Sequence, residues 1–177
     1  NEADYETQGS LIKCNPAVKS AADQQALLDA VRNDVLDIIA TDHAPHTWEE
    51  KQNSYFKAPS GVPLVQHSLQ ALLELYHNGV FTLETIVKKT SHAVAERFQV
   101  QDRGYIREGY FADLVLLDLG KPYVVNDDNI LYHCGWSPFN GYRFHSTVEM
   151  TLVNGQIAWQ NGQVTDQILG KRLTFNR

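Results

Sequence analysis

The segment that most constrains this chain is Val35-Leu36-Asp37-Ile38-Ile39-Ala40-Thr41-Asp42-His43-Ala44-Pro45-His46, an apolar run that stops at an acid and two imidazoles. A short hydrophobic segment bounded by polar turn residues reads as a buried parallel strand, the kind of strand that α/β folds cover with helices. Whatever follows its last apolar residue emerges at the strand's carboxyl end, where α/β proteins build their sites. Asp42, His43 and His46 are therefore the first candidates for chemistry.

The preceding residues predict the rest of a βαβ unit. Gly9 to Cys14 is short and mostly apolar, and it halts at Asn15-Pro16 because proline cannot donate to a sheet ladder, which predicts a strand ending at Asn15. Ser20 is a good N-cap, and Ala21 to Asn33 carries Leu27, Leu28 and Val31 at helical spacing. With the strand Val35 to Thr41, this predicts strand, helix and strand joined by a right-handed crossover. Thr47 to Pro63 is a long polar connection, and a connection of that length inside a domain is usually functional. Leu64 to Asn78 then predicts an amphipathic helix, with Val65, Leu69, Leu72, Leu73 and Tyr76 on one face and Gly79 at C′. Thr82 caps another, ending near Phe98.

Near Gln101 the character changes. Gly104 to Gly109 and Ala112 to Asp118 read as strands, and Val148 to Leu152 alternates before Asn154-Gly155, the strongest short hairpin signal. Ile157, Trp159 and Asn161-Gly162 continue the pattern. Pro122 to Phe144 has no clear period and reads as loop. The organisation predicted is an α/β part over residues 1–100 and a small β-rich part over residues 101–177.

Composition narrows the function classes. With 43% hydrophobic and 20% charged residues, the chain can build a core, which sets disorder aside. A net charge of −6 without any Lys/Arg-rich run leaves no electrostatic footprint for nucleic acid or for an anionic membrane. No apolar stretch approaches the roughly 18 residues that span a bilayer, so the expected compartment is the cytoplasm and the expected partner a small-molecule substrate. Cys14 and Cys134 lack metal-type spacing and read as free thiols. A chain that opens on Asn1 with a polar, aperiodic run and carries Met150 as its only methionine reads as the middle of a longer one.

An acid and an imidazole four residues apart at a strand end suit metal ligation or proton transfer, although both residue types are also common in turns. The full motif is more specific. Thr41-Asp42-His43-Ala44-Pro45-His46, followed by Glu49-Glu50-Lys51 and Ala58-Pro59-Ser60-Gly61, resembles the last-strand signature of dihydroorotases of the amidohydrolase superfamily. Upstream, Lys13-Cys14-Asn15-Pro16-Ala17-Val18-Lys19 is similar to that family's Asn-Pro-Pro-Leu-Arg segment, and Gly104 to Gly109 with Ala112 to Leu116 resembles the strand pair of its composite β-domain.

The resemblance implies the C-terminal part of a (β/α)8 TIM barrel, its last two strand-helix units, followed by a small β-rich composite domain. It implies a zinc-dependent cyclic amide hydrolase that interconverts L-dihydroorotate and N-carbamoyl-L-aspartate in pyrimidine biosynthesis, with two zinc ions in the complete enzyme. Asp42 would ligate metal and shuttle the proton while a metal-bound hydroxide attacks the ring amide. Asn15, His46, Ser60 and Gly61 would bind substrate. Ala17, Lys19 and Ser60 depart from the family's usual proline, arginine and aromatic residue, and lysine does not reproduce an arginine fork.

The family's His-x-His pair, carbamylated lysine and further histidine ligands have no counterpart here, and a complete barrel needs about 250 residues. Most zinc ligands are therefore expected in the N-terminal remainder of the barrel, and the segment alone is expected to be inactive. The resemblance leaves room for a homodimer and for an associated transcarbamoylase. Two alternatives stand beside it: another cyclic amidase of the hydantoinase, dihydropyrimidinase or allantoinase type, and a non-catalytic dihydroorotase-like scaffold subunit. His67, His77, His92, His133 and His145 read as structural or surface histidines, His43 as support beneath the site, and Trp48, Tyr55 and Phe56 as anchors of the 47–63 loop.

Overall fold

The computed structural model describes residues 1–167 and 170–176; Ile168, Leu169 and Arg177, which fall in the span read as β-rich, lie outside the described residues. The helices begin where capping chemistry places them. After short turns that include α1 (Tyr5–Gln8), the chain enters α2 (Ala21–Arg32) through a reciprocal capping box between Ser20 and Asp23. Thr47 and Glu50 form a second capping box that starts α3 (Trp48–Lys51) inside the long connection. α4 (Ser68–His77) begins four residues later than its apolar pattern predicts, because Leu64 to His67 closes a turn, with the His67 amide bonded to the Leu64 carbonyl. α5 (Leu83–Val87), capped by Thr82, passes through a π turn at Lys88–His92 into α6 (Ala93–Phe98). On that turn Lys88 and Lys89 both reach Asp34 at 2.7 Å.

Three predicted strands are corrected. Gly9–Ile12 is a 3-10 turn, Val35–Thr41 is chain without a ladder, and Gly104–Gly109 is a run of turns. Apolar content forecasts burial, but a strand also needs a neighbour. Among the described residues the 35–46 segment bonds to a helix and a loop: Ile39 N donates to the Lys89 carbonyl, and one parallel bridge joins His43 to Val62. Val35 and Leu36 are accordingly exposed, while Ile39 packs on the core. At Gly104 the backbone lies so close to α6 that a Cβ there would collide with Ala95 and crowd the Ser91 carbonyl.

The β-rich part holds β1 (Leu114–Asp118), β2 (Tyr123–Val124), β3 (Arg143–Phe144), β4 (Thr147–Val153), β5 (Gln156–Gln160) and β6 (Gln163–Val164). One antiparallel sheet has the order β1-β4-β5-β6, and β2 pairs with β3 apart from it. Asn154-Gly155 and Asn161-Gly162 both take positive φ, the conformation two-residue hairpin turns require.

Val31, Leu73, Phe81 and Ile86 form a buried cluster between α2, α4 and the α5 helix. Buried residues also lie where a loop was expected: Val125, Phe144 and Trp136 are 0%, 1% and 4% exposed, and Ser146 just beyond is 0% exposed. Aromatic side chains projecting from turns can bury themselves without a helical or strand period, so the 122–144 segment packs while its sequence shows no repeat. Among the described residues no helix is long and apolar enough to cross a membrane.

Candidate functional site

A cavity of about 760 Å³ opens beside the end of the 35–46 segment, and Asn15, Thr41, Asp42, Gly61, Val62 and Glu74 are among its lining residues. Three of the predicted site residues, Asn15, Asp42 and Gly61, therefore share one space. Asp42 is exposed and holds φ at 45°, a left-handed conformation that aspartate tolerates better than bulkier residues. No hydrogen-bond or ion-pair partner engages its carboxylate among the described residues, so its oxygens remain available to a ligand or a proton.

His46 and Ser60 are brought together differently. The His46 Nε2 lies 3.1 Å from the Ser60 carbonyl oxygen, which can only accept, so this ring nitrogen carries the proton. The other nitrogen is 3.8 Å from Glu50, a weak ion pair when the ring is protonated. Trp136 Nε1 donates to the His46 carbonyl at 2.8 Å, which ties the motif to the buried aromatic block. Gly61 has φ 142°, and a Cβ there would run into the Ala44 carbonyl and come within 3.0 Å of the His46 ring. The two loops thus approach as closely as backbone allows, and only glycine permits it.

His43 is exposed and holds the turn that follows the loop. Its Nδ1 accepts from the amides of Leu64 at 3.1 Å and Val65 at 3.3 Å, and its ring lies 5.4 Å from that of Tyr132. His67 is fully buried at the start of α4; its Nδ1 faces the hydroxyls of Tyr132 and Ser137 at 3.3 Å each, and burial pulls its pKa down to about 4. Burial pushes the Tyr132 hydroxyl up to about 12. His77 bonds Ser146 and His145 bonds Glu74, and His92 stacks on Tyr105, so these histidines hold structure. Burial would raise the Glu74 carboxyl, but hydrogen bonds from the His145 amide and ring outweigh it and hold the pKa below the usual range.

Among the described residues no three His, Cys, Asp or Glu side chains converge to hold a metal. Asp42 offers a hard carboxylate oxygen without a competing partner among the described residues, the chemistry of one corner of such a centre. The residues that sequence reasoning missed are Lys13, Lys51 and Trp136. All three act through backbone carbonyls. Lysine is almost never fully buried, so the pattern around Lys51 gave no signal for its position.

The family model described as the amidohydrolase family matches residues 11–158. The chain is 35% identical over 164 residues to a dihydroorotase of Halobacterium salinarum, an alignment covering 92% of the chain and 38% of that relative. It is 30% identical over 171 residues to an allantoinase of Desulfitobacterium hafniense, covering 96% of the chain and 38% of the relative. An L-hydantoinase (dihydropyrimidinase) structure from Arthrobacter aurescens superposes with a TM-score of 0.86 at 27% identity, over 93% of this chain and 38% of that one. The chain spans about two fifths of the length of the curated relatives it matches.

Proposed function

The chain belongs to the amidohydrolase family, and from that premise we propose that the full-length protein is a zinc-dependent cyclic amidase interconverting L-dihydroorotate and N-carbamoyl-L-aspartate in pyrimidine synthesis. The carrying observation is that Asn15, Asp42 and Gly61 line one cavity at the end of the Thr41–His46 motif. The 35% identity to a dihydroorotase supports the substrate assignment. On this reading residues 1–100 are the last two strand-helix units of a (β/α)8 barrel. The neighbours that would pair the 35–41 segment then belong to the rest of the full-length protein.

Asp42 would supply one metal ligand, the others coming from elsewhere in the protein. Zinc, when bound, polarises the ring carbonyl and makes water a stronger nucleophile. The chain's own part is proton traffic and placement. As water oxygen adds to the ring carbonyl carbon, Asp42 takes a water proton; as the carbon–nitrogen bond breaks, Asp42 returns that proton to the leaving nitrogen. Ring closure runs the same transfers backwards. Asn15, His46 and the Ser60-Gly61 turn are the groups assigned to hold the substrate.

A second reading, a cyclic amidase for allantoin or a hydantoin, is favoured by the allantoinase alignment over 96% of the chain and by the L-hydantoinase superposition. Asp42 and His46, both intact, weigh against a non-catalytic scaffold. The deciding experiment assays the purified full-length protein on dihydroorotate, hydantoin and allantoin, with zinc per chain measured in parallel. Turnover of dihydroorotate is expected. Turnover of hydantoin or allantoin alone selects the second reading, and neither turnover nor zinc selects the scaffold.

A further inference from the structure

Lys51 closes the Glu49-Glu50-Lys51 run, and its side chain is 0% exposed. Its Nζ donates to three backbone carbonyls: Gly61 at 2.9 Å, Lys13 at 3.1 Å and Pro59 at 3.1 Å. An ammonium has three N–H groups and no acceptor, so these carbonyls satisfy it completely. Packing alone does not call for an ammonium here. An apolar side chain of similar volume fills such a space without the desolvation cost of a charge, a cost visible in the downward pull that burial exerts on the Lys51 pKa.

The three carbonyls belong to the two segments that carry the substrate-binding candidates. Lys13 lies two residues before Asn15, and Pro59 and Gly61 flank Ser60. The same segments meet directly where the Gly61 amide donates to the Lys13 carbonyl at 2.9 Å. Lys13 extends the arrangement, donating from its own Nζ to the carbonyls of Tyr55 and Ala58 at 2.7 Å each. Lys51 is itself held, since Ser10 Oγ donates to its carbonyl at 2.5 Å. Because Gly61 sits in closest contact with Ala44 and His46, a shift of the loop moves the motif as well.

We propose that Lys51 is a positioning residue: its ammonium fixes Asn15 and the 59–61 turn against each other, and so sets the substrate-binding wall of the cavity without touching substrate. This rests on the cyclic-amidase reading for its kinetic consequence, but not for its structural one. A clamp on the binding wall acts on capture more than on the chemical step.

The test uses the full-length protein with Lys51→Met, which keeps the bulk and removes the donors, and Lys51→Arg, which keeps the charge. Steady-state kinetics on dihydroorotate, zinc content, melting temperature and hydrogen exchange are measured on each. Lys51→Met is expected to raise KM about tenfold or more while kcat stays within about threefold. Zinc content should not change, Lys51→Arg should recover part of the KM, and exchange should accelerate at residues 13–16 and 58–62. A lowered melting temperature with unchanged KM, or a loss of kcat together with zinc, overturns the proposal.

If the wild-type protein turns over no cyclic amide, the functional reading fails. The clamp is then judged by exchange alone: acceleration confined to those two segments supports it, and its absence or spread through the chain overturns it. If Lys51→Met does not fold, Ser10→Ala, which removes only the bond to the Lys51 carbonyl, should give the same pattern at smaller amplitude. An unchanged KM and unchanged exchange in that variant overturn the proposal.

Discussion

Residues 41–61 and residues 122–146 both lack long regular elements, yet the first stretch is held by side chains bonded to its backbone and the second by rings packed on one another. Lys51, His46 and His43 of the first, with Lys13 from outside it, all engage main-chain groups, while Asp42, Asn15 nearby and Ser60 remain exposed. In the second, Phe139, Tyr142 and Phe144 lie with ring centroids 4.8 to 6.2 Å apart, and Phe144 stacks on His67. Polar clamps can shape a loop from behind and leave its reactive groups in contact with solvent and ligand. Ring packing excludes solvent and makes a wall. Trp136 of the second stretch is 4% exposed and reaches the first, bonding the His46 carbonyl and meeting the Trp48 ring edge-on at 6.2 Å.

The sharpest way to break the comparison is to show that the exposed stretch does not carry the chemistry. Asp42→Asn in the full-length protein is expected to lower kcat by about 10²–10⁴, the range for loss of a positioned proton-transfer group. In the metal-free protein its melting temperature should barely move, because the carboxylate is exposed and bonds to none of the described residues. His46→Ala is expected to raise KM instead. A kcat loss below tenfold for Asp42→Asn, measured on dihydroorotate, contradicts the assigned role.

The aromatic stretch should show the opposite balance. Phe144→Ala removes a ring that is 1% exposed and meets three other rings, those of His67, Phe139 and Tyr142, and should cost about 3–5 kcal/mol of stability. Denaturant unfolding of the full-length protein measures that cost. A stability loss under about 1 kcal/mol would mean that the block is not a wall but a cover that opens.

These contrasts also mark what could be read from residues alone. Ser20, Thr82 and the two Asn-Gly pairs act through bonds within a few residues of themselves, so α2, the α5–α6 helix and the hairpins were legible. The Thr41–His46 motif was legible as a site because acids and imidazoles at that spacing carry specific chemistry. Val35–Thr41 misled, because a ladder depends on a partner segment that no local pattern encodes. Lys51 was silent because its position inverts the usual exposure of lysine. Pro122 to Phe144 was silent for a different reason: periodicity reports a long regular backbone, and this backbone buries its rings from turns and two-residue strands.

His67 offers the smallest and most specific test of the aromatic wall. Its folded pKa is pulled by burial to about 4 from an ordinary 6.5. Between those values the unfolded chain binds a proton that the folded chain refuses, so stability falls as pH drops through the window and is flat above it. The expected loss is about 2 kcal/mol between about pH 7.5 and pH 5, measured by denaturant unfolding of the full-length protein. The Glu74 carboxyl is held below its ordinary value by the His145 bonds, so its contribution is lost as the pH falls from the ordinary carboxyl range downward, at the acid end of this window and beyond. His67→Gln keeps an acceptor for Tyr132 and Ser137 but cannot titrate, and its stability should be nearly level from pH 7.5 to pH 5. If the variant keeps the wild-type slope, His67 is reached by water in solution, and the contrast between an open, clamped loop and a sealed aromatic block fails at its centre.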